Sequence, residues 1–183
     1  MKKFYFSDYN DIKQQEQDLQ GEDFDTLLET CLQFCSFFSF DMVSVNGYAN
    51  HTSLSAFDRY EITDIAWEQY RNVWKYFEFH ESDAYSVRHY YQLNKTTKNI
   101  LKSTFNSLFS TPYIDEYIFL ANLTFFRSDK TIFFCSETHE GDAFLFVKNT
   151  ESVRNLLSLG KWEETPLSTI GYLSDIEIPR FDS

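Results

Sequence analysis

The sequence predicts an α+β fold, a single domain over residues 1–183 in which an antiparallel β-meander packs with three to four helices. Apolar residues recur at three- and four-residue spacing in several segments, which is the period of an amphipathic helix. Three other apolar runs are separated by short turn-forming segments, as in a meander. The chain has 183 residues, of which 19% are aromatic, so it can bury one substantial core but is short for two domains.

Four segments carry the helical spacing. The first extends from Leu27 to Phe38, and the second from Ile62 to Phe77. The third extends from about Lys95 to Phe109, and Pro112 prevents its continuation. The fourth would begin at a capping Thr150 and continue through Leu159.

The predicted meander consists of three apolar runs: Tyr117–Phe126, Thr131–Cys135 and Ala143–Val147. Two turn-forming segments separate them: Ser128-Asp129-Lys130 and His139-Glu140-Gly141-Asp142. A further short strand is expected at Phe40–Val45, before the turn signal Asn46-Gly47. The alternation of Ile176 and Ile178 predicts an edge strand near the end of the sequence.

The chain is acidic, with a formal net charge of −12 and a pI of about 4.7. A field of this sign repels nucleic-acid phosphates and attracts basic surfaces, so it favours a basic partner such as a protein that itself binds nucleic acid. Eight acids lie between Ser7 and Glu29 against the single base Lys13. The candidate partner-binding residues are the four acids of the predicted helix region: Glu22, Asp23, Asp25 and Glu29. Alternatively, these acids stabilise the start of the helix and keep the protein in solution.

A basic window interrupts this acidic chain, because no Asp or Glu occurs between Ala84 and Ile114. Its candidate nucleic-acid contacts are four bases: Arg88, Lys95, Lys98 and Lys102. Tyrosines stand beside them, and cations next to exposed rings are how proteins hold single-stranded nucleic acid. RNA contact through this segment is one interpretation. The other is a solvated helix face, because the three lysines recur at helical spacing.

The pattern His-Glu-x-Asp-Ala occurs twice, as His80-Glu81-Ser82-Asp83-Ala84 and His139-Glu140-Gly141-Asp142-Ala143, and we call its first four residues the tetrad. Coincidence and an internal duplication of about 58–110 and 115–160 both explain it. The candidate metal ligands are the ionisable members: His80, Glu81, Asp83, His139, Glu140 and Asp142. A pair of divalent metals could cut a phosphodiester. The spacing is not an established ligand pattern, however, and turns are polar for backbone reasons alone.

Other features narrow the class of protein. Cys31, Cys35 and Cys135 are odd in number, which favours free thiols in a reducing compartment. The first residues turn acidic before any apolar run, and no apolar stretch reaches membrane-spanning length, so a cytoplasmic protein is expected. Five glycines and the lack of a phosphate-binding loop argue against nucleotide chemistry. No cofactor is expected beyond the divalent metal considered above.

In size, in acidic charge and in its lack of a catalytic motif, the chain resembles the phage-encoded anti-CRISPR proteins that act on Cas9-type nucleases. The resemblance covers no defined motif, so it assigns no site residues. It implies a small inhibitor that binds and blocks a basic, nucleic-acid-handling bacterial effector. Two alternatives remain: an immunity protein that neutralises a bacterial toxin, and a metal-dependent nuclease that uses the repeated tetrad.

Overall fold

The structure, a computed structural model, describes residues 1–7, 9–10, 15–44, 54–62, 69–70, 85–160 and 162–166. The described strands are β1 (Lys2–Ser7), β2 (Tyr9–Asn10), β3 (Gln15–Glu16), β4 (Phe37–Ser44), β5 (Gln69–Tyr70), β6 (Tyr85–Gln92), β7 (Ile118–Phe126), β8 (Ile132–Glu137), β9 (Asp142–Val147) and β10 (Glu163–Thr165). The described helices are α1 (Glu22–Phe34), α2 (Lys95–Thr104) and α3 (Arg154–Leu157), with a 3-10 turn at Asp58–Tyr60. The fold is therefore α+β, as predicted.

Eight of these strands form one antiparallel sheet in the order β10-β1-β9-β8-β7-β4-β6-β5, and β2 pairs with β3 separately. The predicted meander is present, because β7, β8 and β9 are consecutive and antiparallel. As a description of the whole sheet, however, a simple meander is wrong. The outer edge of β9 pairs with β1, and β4 lies between β7 and β6. Partners distant in sequence thus extend the meander on both sides.

The central strands are buried along their length. Every residue of β7 is buried, and so is every residue of β4 after Phe37. A continuous apolar run of this kind is typical of a strand with both faces covered. This explains why β7 reads as one apolar run in the sequence, while the half-covered strands alternate.

Helix α1 starts after Gly21 and ends at Phe34, where the extended backbone of Cys35 stops it. The prediction that this helix continues to Phe38 is wrong. Phe37 and Phe38 belong to β4, in which they pair with residues of β7. The spacing of Phe34 and Phe38 fits one face of a helix. The same two rings can also reach the core when Phe34 ends a helix and Phe38 belongs to a strand, and the pairing of β4 with β7 selects this second arrangement.

Helix α2 begins with a capping box between Asn94 and Thr97, which satisfies backbone groups of its first turn. It ends at Thr104, so the predicted extension to Phe109 is wrong. The reason is the extended backbone of Phe105, whose buried ring lies 6.1 Å from that of Phe40 in β4.

The remaining helix predictions overstate the helical part of the chain. The fourth predicted helix, from Thr150 to Leu159, is reduced to the single turn of α3, and Val153 precedes it in place of Thr150. Within the second predicted helix, Gln69–Tyr70 instead form β5. Other predictions lie outside the described residues: residues 63–68 and 71–77 of that helix, the Asn46-Gly47 turn, Val45, and the edge strand at Ile176 and Ile178.

The main core lies between the helices and one face of the sheet, and it is largely aromatic. The ring of Tyr91 lies 5.3 Å from Phe38, 5.1 Å from Phe40 and 5.3 Å from Phe57. All four residues are almost completely buried. Phe57, in the segment that leads into the 3-10 turn, thus covers the rings of β4 and β6. Most of the described phenylalanines serve packing.

Candidate functional site

The sheet face opposite the main core carries buried polar groups. Asp41 in β4 and Arg88 in β6 are register partners, and side chains alternate along a strand, so both point away from Phe40 and its cluster. Arg88 Nε donates to Asp41 Oδ1 at 2.6 Å, and the terminal nitrogen donates to Oδ2 at 3.0 Å. The side chains are only 11% and 6% exposed. This is a bidentate, nearly buried ion pair.

Asn122 extends this pair toward the β8–β9 turn. Its Nδ2 donates to Asp41 Oδ2 at 2.8 Å. It also exchanges two hydrogen bonds with Thr138, one from each backbone N–H, at 2.9 and 3.0 Å. Asn122 has a φ of 56°, a left-handed conformation that Asn tolerates better than most residues. We call Asp41, Arg88, Asn122 and Thr138 the Asp41 network, and its contacts run from β6 to the β8–β9 turn.

Cys135 lies on the same sheet face, near Lys3, Arg88 and Glu137. Burial raises the pKa of the Cys135 thiol to about 12, Glu137 raises it further, and Arg88 and Lys3 oppose the shift. Burial likewise lowers the pKa of Lys3. A thiol with so high a pKa is protonated near neutrality and is a poor nucleophile. Cys135 is therefore a packing residue.

The second tetrad forms the predicted turn between β8 and β9. His139 Nε2 lies 2.9 Å from Glu140 Oε1, and the Tyr5 hydroxyl donates to Asp142 Oδ1 at 2.7 Å. Burial lowers the pKa of His139, although Glu140 opposes this, and burial raises the pKa of Asp142. Asp142 thus supports the pairing of β1 with β9.

The first tetrad, with His80, Glu81 and Asp83, lies outside the described residues. Among the residues that the structure does describe, no group of three or more His, Cys, Asp or Glu side chains is arranged to hold a metal ion. A metal site formed by both tetrads stays a prediction, and so does the internal duplication.

The predicted acidic and basic segments meet between α1 and α2. Lys98 Nζ contacts Glu29, and it lies 3.2 Å from Asp25 Oδ1. Lys102 Nζ lies 2.8 Å from Asp25 Oδ2. The hydrogen bond to Glu29 and then that to Asp25 raise the pKa of Lys98, whereas hydrogen bonds from Lys102 and Lys98 lower the pKa of Asp25. We call these four residues the α1–α2 ion-pair cluster.

The four predicted nucleic-acid contacts do not form one surface. Arg88 belongs to the Asp41 network on one sheet face, while the three lysines lie on α2, which packs with α1 on the other. Lys98 is only 9% exposed and Lys102 is half-exposed beside Asp25. Lys95 is exposed at the start of α2. Two of the four charges are therefore buried in internal ion pairs.

The outer side of α1 keeps acids at the surface. Glu22, Asp23 and Glu29 are exposed. Glu29 lines a groove of about 500 Å³, together with Asp25, Thr26, Thr30, Leu32, Gln33 and Asn155. We call the three exposed acids and this groove the α1 acidic surface. Its lining is mostly polar and carries two carboxylates.

Sequence reasoning missed the residues that organise the buried polar groups. Arg127 is one, with Nε donating to Glu151 Oε1 at 2.6 Å and Nη1 donating to the Ile132 carbonyl at 2.7 Å. Asp41 is the other, and it did leave a signal. A single carboxylate within the apolar run Phe40–Val45 must be paired if that run is buried. The signal predicts a partner, but it does not say which one.

Comparison of the chain with protein-family models, with curated proteins and with solved structures found no match. None of the helices in the described ranges is long and apolar enough to span a membrane.

Proposed function

We propose that the chain is a non-catalytic binding protein that docks onto a basic, nucleic-acid-handling bacterial effector and blocks its nucleic-acid surface. The observation that carries the proposal is the α1 acidic surface. There, Glu22 and Asp23 are exposed in the first turn of α1, and the groove of the same surface is lined by the carboxylates of Asp25 and Glu29, which pair with lysines. A surface of this kind offers a basic groove the charges that it would otherwise find on phosphates.

The placement of the bases supports an acidic exterior. The side chains of Arg88, Lys98 and Arg127 are nearly buried in ion pairs with Asp41, with Glu29 and Asp25, and with Glu151. With Lys102, which pairs with Asp25, these bases offset the four acids that they contact, so the net charge of −12 has to be carried by the other ionised groups. An outward field of this sign speeds encounter with a basic protein and suppresses encounter with free nucleic acid.

The described candidates for acid–base chemistry favour binding over catalysis. Asp41 accepts three hydrogen bonds from Arg88 and Asn122, and the Cys135 thiol has a strongly raised pKa. Such groups hold a fold together, and they are poorly placed to exchange protons with a substrate.

The proposed target is a Cas9-type nuclease. A toxin nuclease, as in the immunity alternative, would present the same basic chemistry. Pull-down from the natural host separates the two, because it identifies the protein bound. Incubation of the purified chain with labelled RNA and DNA, with Mg²⁺ or Mn²⁺ and then with EDTA, tests the nuclease alternative, for which cation-dependent cleavage is required.

The test of the α1 acidic surface is the salt dependence of association. Replacing Glu22→Gln and Asp23→Asn together should slow association with a purified Cas9-type nuclease at 0.1 M salt more than it speeds dissociation, because rim charges act before contact. At 1 M salt the difference should vanish, since the Debye length falls from about 10 Å to about 3 Å. Stopped-flow or surface-binding kinetics at both salt concentrations measure it.

A matched control variant loses the same number of negative charges at a different surface. Glu163→Gln with Glu164→Gln removes two exposed acids from β10, at one edge of the sheet. Asp25 is left unchanged in both variants, because it belongs to the α1–α2 ion-pair cluster and its loss would mix stability with binding. An unchanged association rate for the α1 variant, or an equal decrease in the β10 control, would end the proposal for this surface.

A further inference from the structure

A short loop between α2 and β7 presents two tyrosines and two acids to solvent. Tyr113 is 67% exposed and Tyr117 is 41% exposed, and apart from Met1 they are the exposed large hydrophobic residues of the described chain. Asp115 and Glu116, between them, are exposed as well. We call residues 112–117 the tyrosine loop.

Hydrogen bonds tie the tyrosine loop to the start of β7. Leu120 N donates to the Pro112 carbonyl at 2.9 Å, and Ile114 N donates to the Ile118 carbonyl at 2.8 Å. Asp115 Oδ1 accepts from the backbone N–H groups of Tyr117 and Ile118 at 2.7 and 2.9 Å. A surface that is already ordered loses little conformational entropy when it binds.

The chemistry of the tyrosine loop fits arginine. No Lys, Arg or His occurs from Ser103 to Phe126, so no neighbour in sequence offsets its two acids. A guanidinium can stack on an exposed ring and pair with a carboxylate at once, whereas an ammonium matches neither plane as well. The chain itself uses this contact, because Arg59 lies over the Tyr60 ring at 4.9 Å.

Building on the proposed function, we propose that the tyrosine loop is the part of this protein that recognises arginine side chains on the surface of its basic protein partner. Tyr113 and Tyr117 supply the stacking faces, and Asp115 and Glu116 supply the countercharge. Tyr side chains of this kind are enriched at the centres of protein interfaces. A second copy of this chain is disfavoured as the occupant, because its own net charge is −12.

The test compares fluorescein-labelled deca-arginine with deca-lysine by anisotropy at 0.15 M salt. Wild type should bind deca-arginine more tightly than deca-lysine. Tyr113→Ala with Tyr117→Ala should remove that preference, with a loss of about two- to fivefold per ring, as expected for an exposed cation–ring contact. Tyr113→Phe with Tyr117→Phe keeps both rings and should keep the preference. Melting temperatures confirm that each variant is folded.

Tyr60→Ala is the matched control, since it removes a ring elsewhere, and it should leave the arginine preference intact. The inference is overturned if wild type binds both peptides equally, or if the Tyr113 and Tyr117 alanine variant keeps the preference. In those cases charge-driven binding, and with it the proposed function, stands. Binding of neither peptide by wild type overturns both.

Discussion

Asp41 shows what a buried charge contributes at the scale of a single residue. Removing a carboxylate from water costs several kcal/mol, and a close cation with good hydrogen bonds offsets most of that cost. Arg88 and Asn122 provide such partners. A one-residue slip of β4 against β6 would move Asp41 into the aromatic core and separate it from Arg88. The ion pair therefore specifies register more than it adds net stability.

Replacing Asp41→Asn should destabilise the protein by about 3–5 kcal/mol, because it leaves the Arg88 guanidinium buried without a countercharge. Asp41→Leu should cause a loss for the same reason, and adding Arg88→Met to Asp41→Leu should recover most of that loss, since an apolar pair of similar volume can replace a buried ion pair. Urea unfolding of the single and double variants measures both effects.

The exposed pair of Lys2 and Glu164, 2.8 Å apart, provides the control for that cycle. Glu164→Gln should cost less than about 1 kcal/mol, as is usual for exposed pairs. Additive losses for the Asp41 and Arg88 substitutions would show that the two side chains are not coupled.

At this scale the pairing of Asp41 was missed, and the carboxylate in its apolar run indicates only that a partner is needed, not which residue it is. Its partner Arg88 is 47 positions away and Asn122 is 81 positions away. The sequence groups Arg88 with three lysines in one basic window, because sequence spacing does not show that Arg88 and α2 lie on opposite faces of the sheet. Pairing across strands is a property of the sheet, and single residues do not reveal it.

At the scale of elements, α1 and α2 are joined by carboxylates that face lysines. The hydrogen bonds from Lys102 and Lys98 lower the folded-state pKa of Asp25 below its ordinary value of 3.8. A group with a lowered pKa contributes stability that is complete above its unfolded-state pKa and is lost as the pH falls through its folded-state pKa. For Lys98, whose pKa is raised above 10.5, the contribution is lost as the pH rises through the folded-state value.

Asp25→Asn should therefore lower the melting temperature near neutral pH, and the difference from wild type should shrink as the pH falls below 3.8. Thermal melts at intervals from pH 7 to below pH 3 measure it. Asp23→Asn is the control, because Asp23 is an exposed acid of the same helical turn. A difference for Asp25→Asn that persists undiminished in acid would show that the lysine contacts do not stabilise α1 against α2.

The elements whose evidence is local could be predicted from the sequence. The three meander runs are bounded by turn residues, and the apolar stripes placed α1 and α2 to within one or two turns. The predicted end of α1 was wrong because Phe34 and Phe38 fit a helical period although they belong to different elements. β1 was not predicted, because its strand character depends on partners between residues 142 and 165.

At the scale of the whole molecule, the reactivity of the three cysteine thiols measures how often the fold unfolds. Cys31 and Cys135 are fully buried and Cys35 is nearly so, and none of them is in a disulfide. Burial raises the pKa of Cys31 well above its ordinary value and that of Cys135 to about 12. Thiolate is the reactive form, so both solvent exclusion and protonation slow modification.

A thiol reagent should therefore react with the native protein only as fast as the protein unfolds. In denaturant, all three thiols should react at once. Asp41→Asn, which destabilises the fold without touching a cysteine, should speed the native-state reaction. The colorimetric reaction with an aromatic disulfide at pH 8 measures the rates. Rapid reaction of Cys31 or Cys135 in the unmodified protein at low temperature would contradict the burial described here.

The order of the strands also bears on how the chain is made. β1 leaves the ribosome long before its two neighbours: Tyr5 bonds to Asp142 across 137 residues, and Lys2 bonds to Glu164 across 162. Contacts so distant in sequence close slowly, and strands that wait for them expose unpaired backbone. Until residues 142–165 have been made, β1 is thus a strand without its partners in the sheet. Its lysines, Lys2 and Lys3, are the kind of residue that keeps such a strand from pairing with another nascent chain.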